Sequence, residues 1–96
     1  MFRDEKYRTF VREHPCENCG RVADVAHHFG KRIGGGGTGL KPHDTFEVPL
    51  CNSCHQAEHN NVLTAEQYRD TEHRFLVRAL RIATEWIEQH AAKKNR

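Results

Sequence analysis

Two Cys-x2-Cys pairs, Cys16-Glu17-Asn18-Cys19 and Cys51-Asn52-Ser53-Cys54, set the strongest constraint on this chain. Each pair makes a tight turn with both sulfurs on one side, which is the spacing of a zinc knuckle. Gly20 follows the first pair at the point where such a turn closes. A lone pair of this kind can be a redox dithiol, but no βαβ pattern surrounds either one. Two pairs in one chain of 96 residues point to a four-cysteine zinc site. Four protein ligands leave no open position for a substrate, so the expected job of Cys16, Cys19, Cys51 and Cys54 is structural. A small chain needs such a staple. Its hydrophobic fraction is 36% and its mean hydropathy -0.85, so the apolar core is modest.

No stretch approaches the roughly 18 consecutive apolar residues of a membrane span. The first residues, Met-Phe-Arg-Asp-Glu-Lys-Tyr-Arg, lack the apolar run of a signal peptide. The expectation is a cytoplasmic protein with no membrane partner, where cysteines hold metal more readily than they pair. The net charge of +2 does not by itself argue for nucleic acid. Arg3, Lys6, Arg8 and Arg12 near the start, and Lys93, Lys94 and Arg96 at the end, read as solvated faces. Lys31, Arg32 and Lys41 flank a run of glycines and are the candidate nucleic-acid contacts.

Residues 2–13 read as a short helix with Phe2, Tyr7, Phe10 and Val11 on its apolar side, ended by His14-Pro15. Residues 21–29 read as a strand that starts as late as Val25, and 45–50 as a second strand antiparallel to it. Between them, Gly34 to Gly37 and Gly39 exclude regular structure. No helix follows these glycines, which rules out a P-loop. Ser53 or Asn52 is expected to cap a helix reaching Asn60. Thr64 with Gln67 forms a capping box for a long helix over about 65–92. Its apolar face is read as Ala65, Tyr68, Phe75, Leu76, Ala79, Leu80, Ala83, Trp86 and Ile87. That face packs on the core, and part of it is available as a dimer seam. The whole chain is expected to be one α+β domain, with its motifs in residues 14–60.

The eight histidines are the second concentration of chemistry. His55 and His59 sit four apart and share one face of their helix. His27 and His28 are consecutive in a strand and must point to opposite sides of it. His27 with His55 and His59 makes a three-imidazole metal site with open positions for water and a substrate oxygen. His28 is then left for another role, and an imidazole suits general-base work near neutrality.

The ordered set Cys-x2-Cys, His27-His28, a glycine-rich loop, Lys41-Pro42-His43-Asp44, Val48-Pro49-Leu50-Cys51 and His55-x3-His59 resembles the HNH endonucleases. Their core is a ββα-metal (His-Me) finger, and the cysteine pairs match the zinc-containing members. The pattern looks most like phage-type HNH proteins associated with recombination, the RecA-dependent nucleases among them. The resemblance implies a metal-dependent deoxyribonuclease of low sequence specificity. Its partners would be DNA and a recombinase or other recombination protein, and its cofactors a structural Zn²⁺ and a catalytic Mg²⁺, Mn²⁺, Ni²⁺ or Zn²⁺. His28 matches the general base, and His27, His55 and His59 match the metal ligands. One position departs from the family. The middle Asn of HNH falls on Phe46, and Asp44 is the nearest polar residue able to steady His28, with Glu47 and His43 as alternatives. The competing expectation is a zinc-stabilised, non-catalytic DNA-binding or recombination-accessory module.

Overall fold

The computed structural model describes residues 3–30, 43–60 and 63–94. The glycine-rich loop with Lys31, Arg32 and Lys41 lies outside these residues, as does Phe2. In order come helix α1 (Glu5–Arg12), strands β1 (Val25–His28) and β2 (Glu47–Leu50), helix α2 (Asn52–Asn60) and helix α3 (Ala65–Lys94). This is a small α+β fold: an N-terminal helix, a two-stranded antiparallel hairpin, a helix, and a long C-terminal helix.

The register is Val25 with Leu50, Ala26 with Pro49, His27 with Val48, and His28 with Glu47. Alternation along the strands then divides the hairpin into two faces. Val48 and Leu50, with Phe29 just beyond β1, pack against Phe75 and Ala79 of α3 beside Cys16 and Cys51. Ala26 on the other face joins Tyr7 and Val11 of α1 and Ile82 of α3. Trp86 closes this second cluster, its ring 5.3 Å from those of Tyr7 and Phe10. The hairpin is thus covered by α1 with Ile82 and Trp86 of α3 on one side, and by α2 with Phe75 and Ala79 of α3 on the other. Consecutive strand residues enter different environments.

Several boundaries are tighter than the sequence pattern suggests. β1 starts at Val25, the later start that the sequence allowed, and residues 21–24 are not strand. The Cys16 N–H donates to the Arg21 carbonyl at 2.7 Å and Pro15 bridges Val22, so the knuckle uses that backbone, and Val22 is 83% exposed. Residues 45 and 46 belong to a turn in which the Phe46 N–H donates to the His43 carbonyl at 2.8 Å. The expected cap on α2 is replaced by a distant one: Asp24 Oδ2 accepts the Asn52 N–H at 2.8 Å. The Thr64–Gln67 capping box forms with reciprocal bonds of 2.9 and 3.1 Å. On α3 the buried stripe is Phe75, Ala79 and Ile82, continued by half-buried Trp86. Tyr68, Leu80 and Ile87 from the expected face are exposed, because one narrow stripe suffices to cover a two-stranded sheet.

Candidate metal centres and a buried carboxylate clamp

Cys16 and Cys19 sit on the first knuckle, Cys51 directly after β2, and Cys54 in the first turn of α2. Gly20 takes a positive φ of 77°, which closes the turn and lets its N–H donate to the Cys16 carbonyl at 2.9 Å. The Glu17 N–H donates to the Pro49 carbonyl at 2.9 Å and docks the knuckle onto β2. All four sulfurs lie within 4.8 Å of one another, and Cys19 Sγ is 3.6 Å from Cys51 Sγ. A regular tetrahedron with Zn–S of ~2.3 Å has S–S edges of about 3.8 Å, so the set fits a zinc ion. That separation is far from the ~2 Å of a disulfide. Burial opposes ionisation of Cys16, but the N–H groups of Cys51, Cys19 and Asn18 outweigh it and bring the thiol down to about 6. Contact with Cys51, then burial, pushes Cys54 up to about 12. The Cys16 thiolate is favoured while Cys19 and Cys54 are held back, an imbalance that a divalent cation relieves.

His27, His55 and His59 form a second set of donor atoms within 4.8 Å. The His27 ring centre is 5.1 Å from that of His55 and 5.7 Å from that of His59. His55 Nε2 and His59 Nε2 are 3.1 Å apart. Two nitrogens at ~2.05 Å from a metal are separated by about 2.9 Å at a right angle and about 3.3 Å at a tetrahedral one, so these imidazoles fit one ion. Burial first, then the charges of His55, His59 and His28, pushes His27 down to about 4. Burial and His59 also lower His55. Neutral imidazole is the ligating form. A cleft between α2 and α3 adjoins this set, lined by His27, His59, Glu58, Tyr68, Glu72 and Phe75.

His28 faces the other way, toward α1. Its Nε2 lies 3.0 Å from Asp44 Oδ1 and 3.5 Å from Glu47 Oε2. Asp44 is 2% exposed, and its Oδ2 accepts the Asp4 N–H at 2.7 Å. Burial works against the Asp44 carboxylate, but the Asp4 N–H, His28 and Arg3 outweigh it and hold its pKa below the usual carboxylate value. An ionised carboxylate only accepts, so the His28 proton facing it sits on Nε2 and the lone pair of the neutral ring on Nδ1. Glu47 is fully buried and its Oε2 accepts from Arg8 Nε at 2.8 Å. Burial pushes Glu47 up to about 7 against the pull of Arg8.

Apart from His43, whose Nδ1 faces Thr45 Oγ1 at 2.8 Å, the candidate site residues in the described part of the sequence gather into three clusters, of four cysteines, three histidines, and His28 with two carboxylates. Phe46, which the sequence resemblance set at the position of the family's middle Asn, is partly buried and packs against the core beside Phe29, with ring centres 5.9 Å apart. The turn at residues 43–46 brings Asp44 back to His28 instead. Arg3 and Arg8, read from sequence as solvated charges, are the partners of Asp44 and Glu47. Their signal lay in Glu47 itself, an acidic residue inside the apolar run Phe46 to Leu50, which needs a buried cation.

No helix among the described residues is long and apolar enough to cross a membrane. The chain is 39% identical over 82 residues to the uncharacterized protein YdfU of Escherichia coli (strain K12), covering 81% of this chain and 23% of that relative. The chain thus spans about a quarter of its relative's length. No solved structure matches it. Residues 1–86 match the model of a family described as a protein of unknown function, DUF968, and the chain with its four-cysteine cluster belongs to that family.

Proposed function

We propose that this chain is a metal-dependent HNH endonuclease that hydrolyses DNA phosphodiester bonds, in a ββα-metal finger held by a structural zinc. The observation that carries this reading is the division of His27 and His28 between an imidazole triad and a carboxylate-bound imidazole. Consecutive residues with those two environments match the two roles that phosphodiester hydrolysis needs: a site for a Lewis acid and, on the next residue of the strand, a base. His27, His55 and His59 would hold the divalent ion, which when bound polarises the scissile phosphate and stabilises the leaving 3′ oxygen.

The protein's own contribution is proton handling. Nδ1 of His28 takes a proton from water as the water oxygen bonds to phosphorus. Asp44 accepts the N–H at the opposite nitrogen and steadies the imidazolium that forms. The P–O3′ bond breaks, leaving a 5′-phosphate and a 3′-hydroxyl once the leaving oxygen is protonated. Lys31, Arg32 and Lys41 are assigned to the DNA backbone, where contacts are salt-sensitive and tolerant of sequence. A recombination protein is the proposed partner. A cytoplasmic setting goes with this reading.

Supercoiled plasmid is the direct test. Wild type with Mg²⁺, Mn²⁺, Ni²⁺ or Zn²⁺ should nick it, EDTA should stop the reaction, and His28→Ala should lower the rate by at least a hundredfold. A wild type inert with every metal, or a His28→Ala variant of equal rate, would leave a zinc-stabilised DNA-binding module as the better description.

A further inference from the structure

Two buried carboxylates compete for one N–H. His28 Nε2 faces Asp44 Oδ1 at 3.0 Å and Glu47 Oε2 at 3.5 Å, and a single hydrogen can point well at only one of them. The second contact is occupied from elsewhere. Arg8 Nε donates to that same Glu47 Oε2 at 2.8 Å, and Arg8 Nη2 donates to the Ala26 carbonyl at 3.3 Å. One guanidinium from α1 therefore touches both strands beside the His28–Glu47 pair. Glu47 is sealed from solvent, and its Oε1 has no hydrogen-bond partner among the described residues. A carboxylate so enclosed binds whichever donor is at hand. With Arg8 present that donor is the guanidinium. Without it, the next donor at Oε2 is His28 Nε2.

We infer that Arg8, acting through Glu47, is a positioning residue: by occupying Glu47 it leaves the His28 N–H to Asp44 and so sets the direction of the Nδ1 lone pair. The helix outside the cysteine and histidine segment thereby becomes part of the hydrolytic machinery. The kinetic half of this inference rests on the nuclease reading, and the geometric half stands without it.

The test is Arg8→Gln at pH 8 and again at pH 9.5, read in two ways. The higher pH favours an ionised Glu47 once the cation that lowers its pKa is gone. In a crystal structure or in long-range ¹H–¹⁵N spectra of the imidazole, the His28 N–H should move from Asp44 to Glu47. In plasmid nicking, kcat should fall at least tenfold while KM and zinc content stay within about twofold. The double variant Arg8→Gln/Glu47→Gln removes the competing charge and should return His28 to Asp44 with recovery of most of the lost kcat. If Arg8→Gln does not fold, the double variant and Arg8→Lys are read in the same way, and both should keep His28 on Asp44. A ring that stays on Asp44 in Arg8→Gln, or leaves Asp44 in the double variant, overturns the inference. So does a rise in KM alone, which would make Arg8 a direct substrate contact. If wild type nicks nothing, the nuclease reading fails, and the position of the ring still decides the role of Arg8.

Discussion

Asp44 Oδ2 accepts the backbone N–H of Asp4 at 2.7 Å, while Asp44 Oδ1 lies 3.0 Å from His28 Nε2. One side chain thus ties the start of α1 to the proposed base. Asp4 in turn caps α1, accepting the N–H groups of Lys6 and Tyr7 at 2.9 and 3.2 Å. Two substitutions separate these duties. Asp44→Ala strands the half-buried Asp4 and His28 donors and should cost about 1–2 kcal/mol of stability. Asp44→Asn keeps an acceptor for Asp4 and should cost less than about 1 kcal/mol, yet slow nicking at least tenfold. Thermal melts and nicking rates measured on both variants check this. Equal losses of rate and stability in the two would assign Asp44 to folding alone.

Glu47 gives a pH signature. Its folded pKa is raised from 4.5 to about 7, so the folded chain binds this proton more tightly than the unfolded one. That contribution is fully present below about 4.5 and is lost as pH rises through 7. Asp44 has the opposite sign. Its lowered pKa adds stability above its ordinary value of 3.8, and that stability is lost on acidification. Between pH 5 and 7.5 the melting temperature of Glu47→Gln should therefore fall less than that of wild type. Both proteins carry the same cysteines and histidines, so the difference between their curves isolates Glu47. Parallel curves would contradict the assignment.

The two metal clusters should separate by phenotype. Cys51→Ser, or a strong chelator, should unfold the chain, because zinc affinity in so small a domain is largely folding free energy. His59→Ala should keep the far-ultraviolet circular dichroism of wild type and one zinc per chain, and lose nicking. Native mass spectrometry reads the metal count in each. Near-native helicity in zinc-free Cys51→Ser would remove the structural role from the cysteines.

Asp24 links the hairpin to the histidine-bearing helix. Removing its carboxylate in Asp24→Ala frees the Asn52 N–H and should cost about 1 kcal/mol, the usual worth of an N-cap. Because α2 carries His55 and His59, affinity of the triad for Ni²⁺ or Mn²⁺ should fall as well, by about three- to tenfold. Calorimetric titration measures this. An unchanged affinity would mean that α2 is positioned by the cysteines alone.

The sequence disclosed local rules best. Cys-x2-Cys spacing, the Thr64–Gln67 box, the four-residue step from His55 to His59 and the opposite facing of His27 and His28 are properties of neighbours, and the fold keeps them. What neighbours do not determine was harder to read. The cap on α2 comes from Asp24, which no local pattern at Asn52 or Ser53 announces. Arg3 and Arg8 look solvated until β2 and the turn before it place two carboxylates under α1. The burial stripe of α3 depends on how wide a sheet it must cover, so Ile82 is buried while Leu80 and Ile87 are not. Asp44 was within reach only as the nearest polar residue, since the turn that returns it to His28 is a tertiary feature.

The pairing of His27 with Val48 and of His28 with Glu47 gives the hairpin a parity. Slipping β1 by one place would hand an imidazole of the wrong neighbours to each face, without changing a single side chain. The base would face α2 and the ligand would face Arg8. Composition, cysteine spacing and histidine count would all survive, and the chemistry would not. For this chain a one-residue insertion inside β1, between Val25 and His27, is therefore a more damaging lesion than most substitutions.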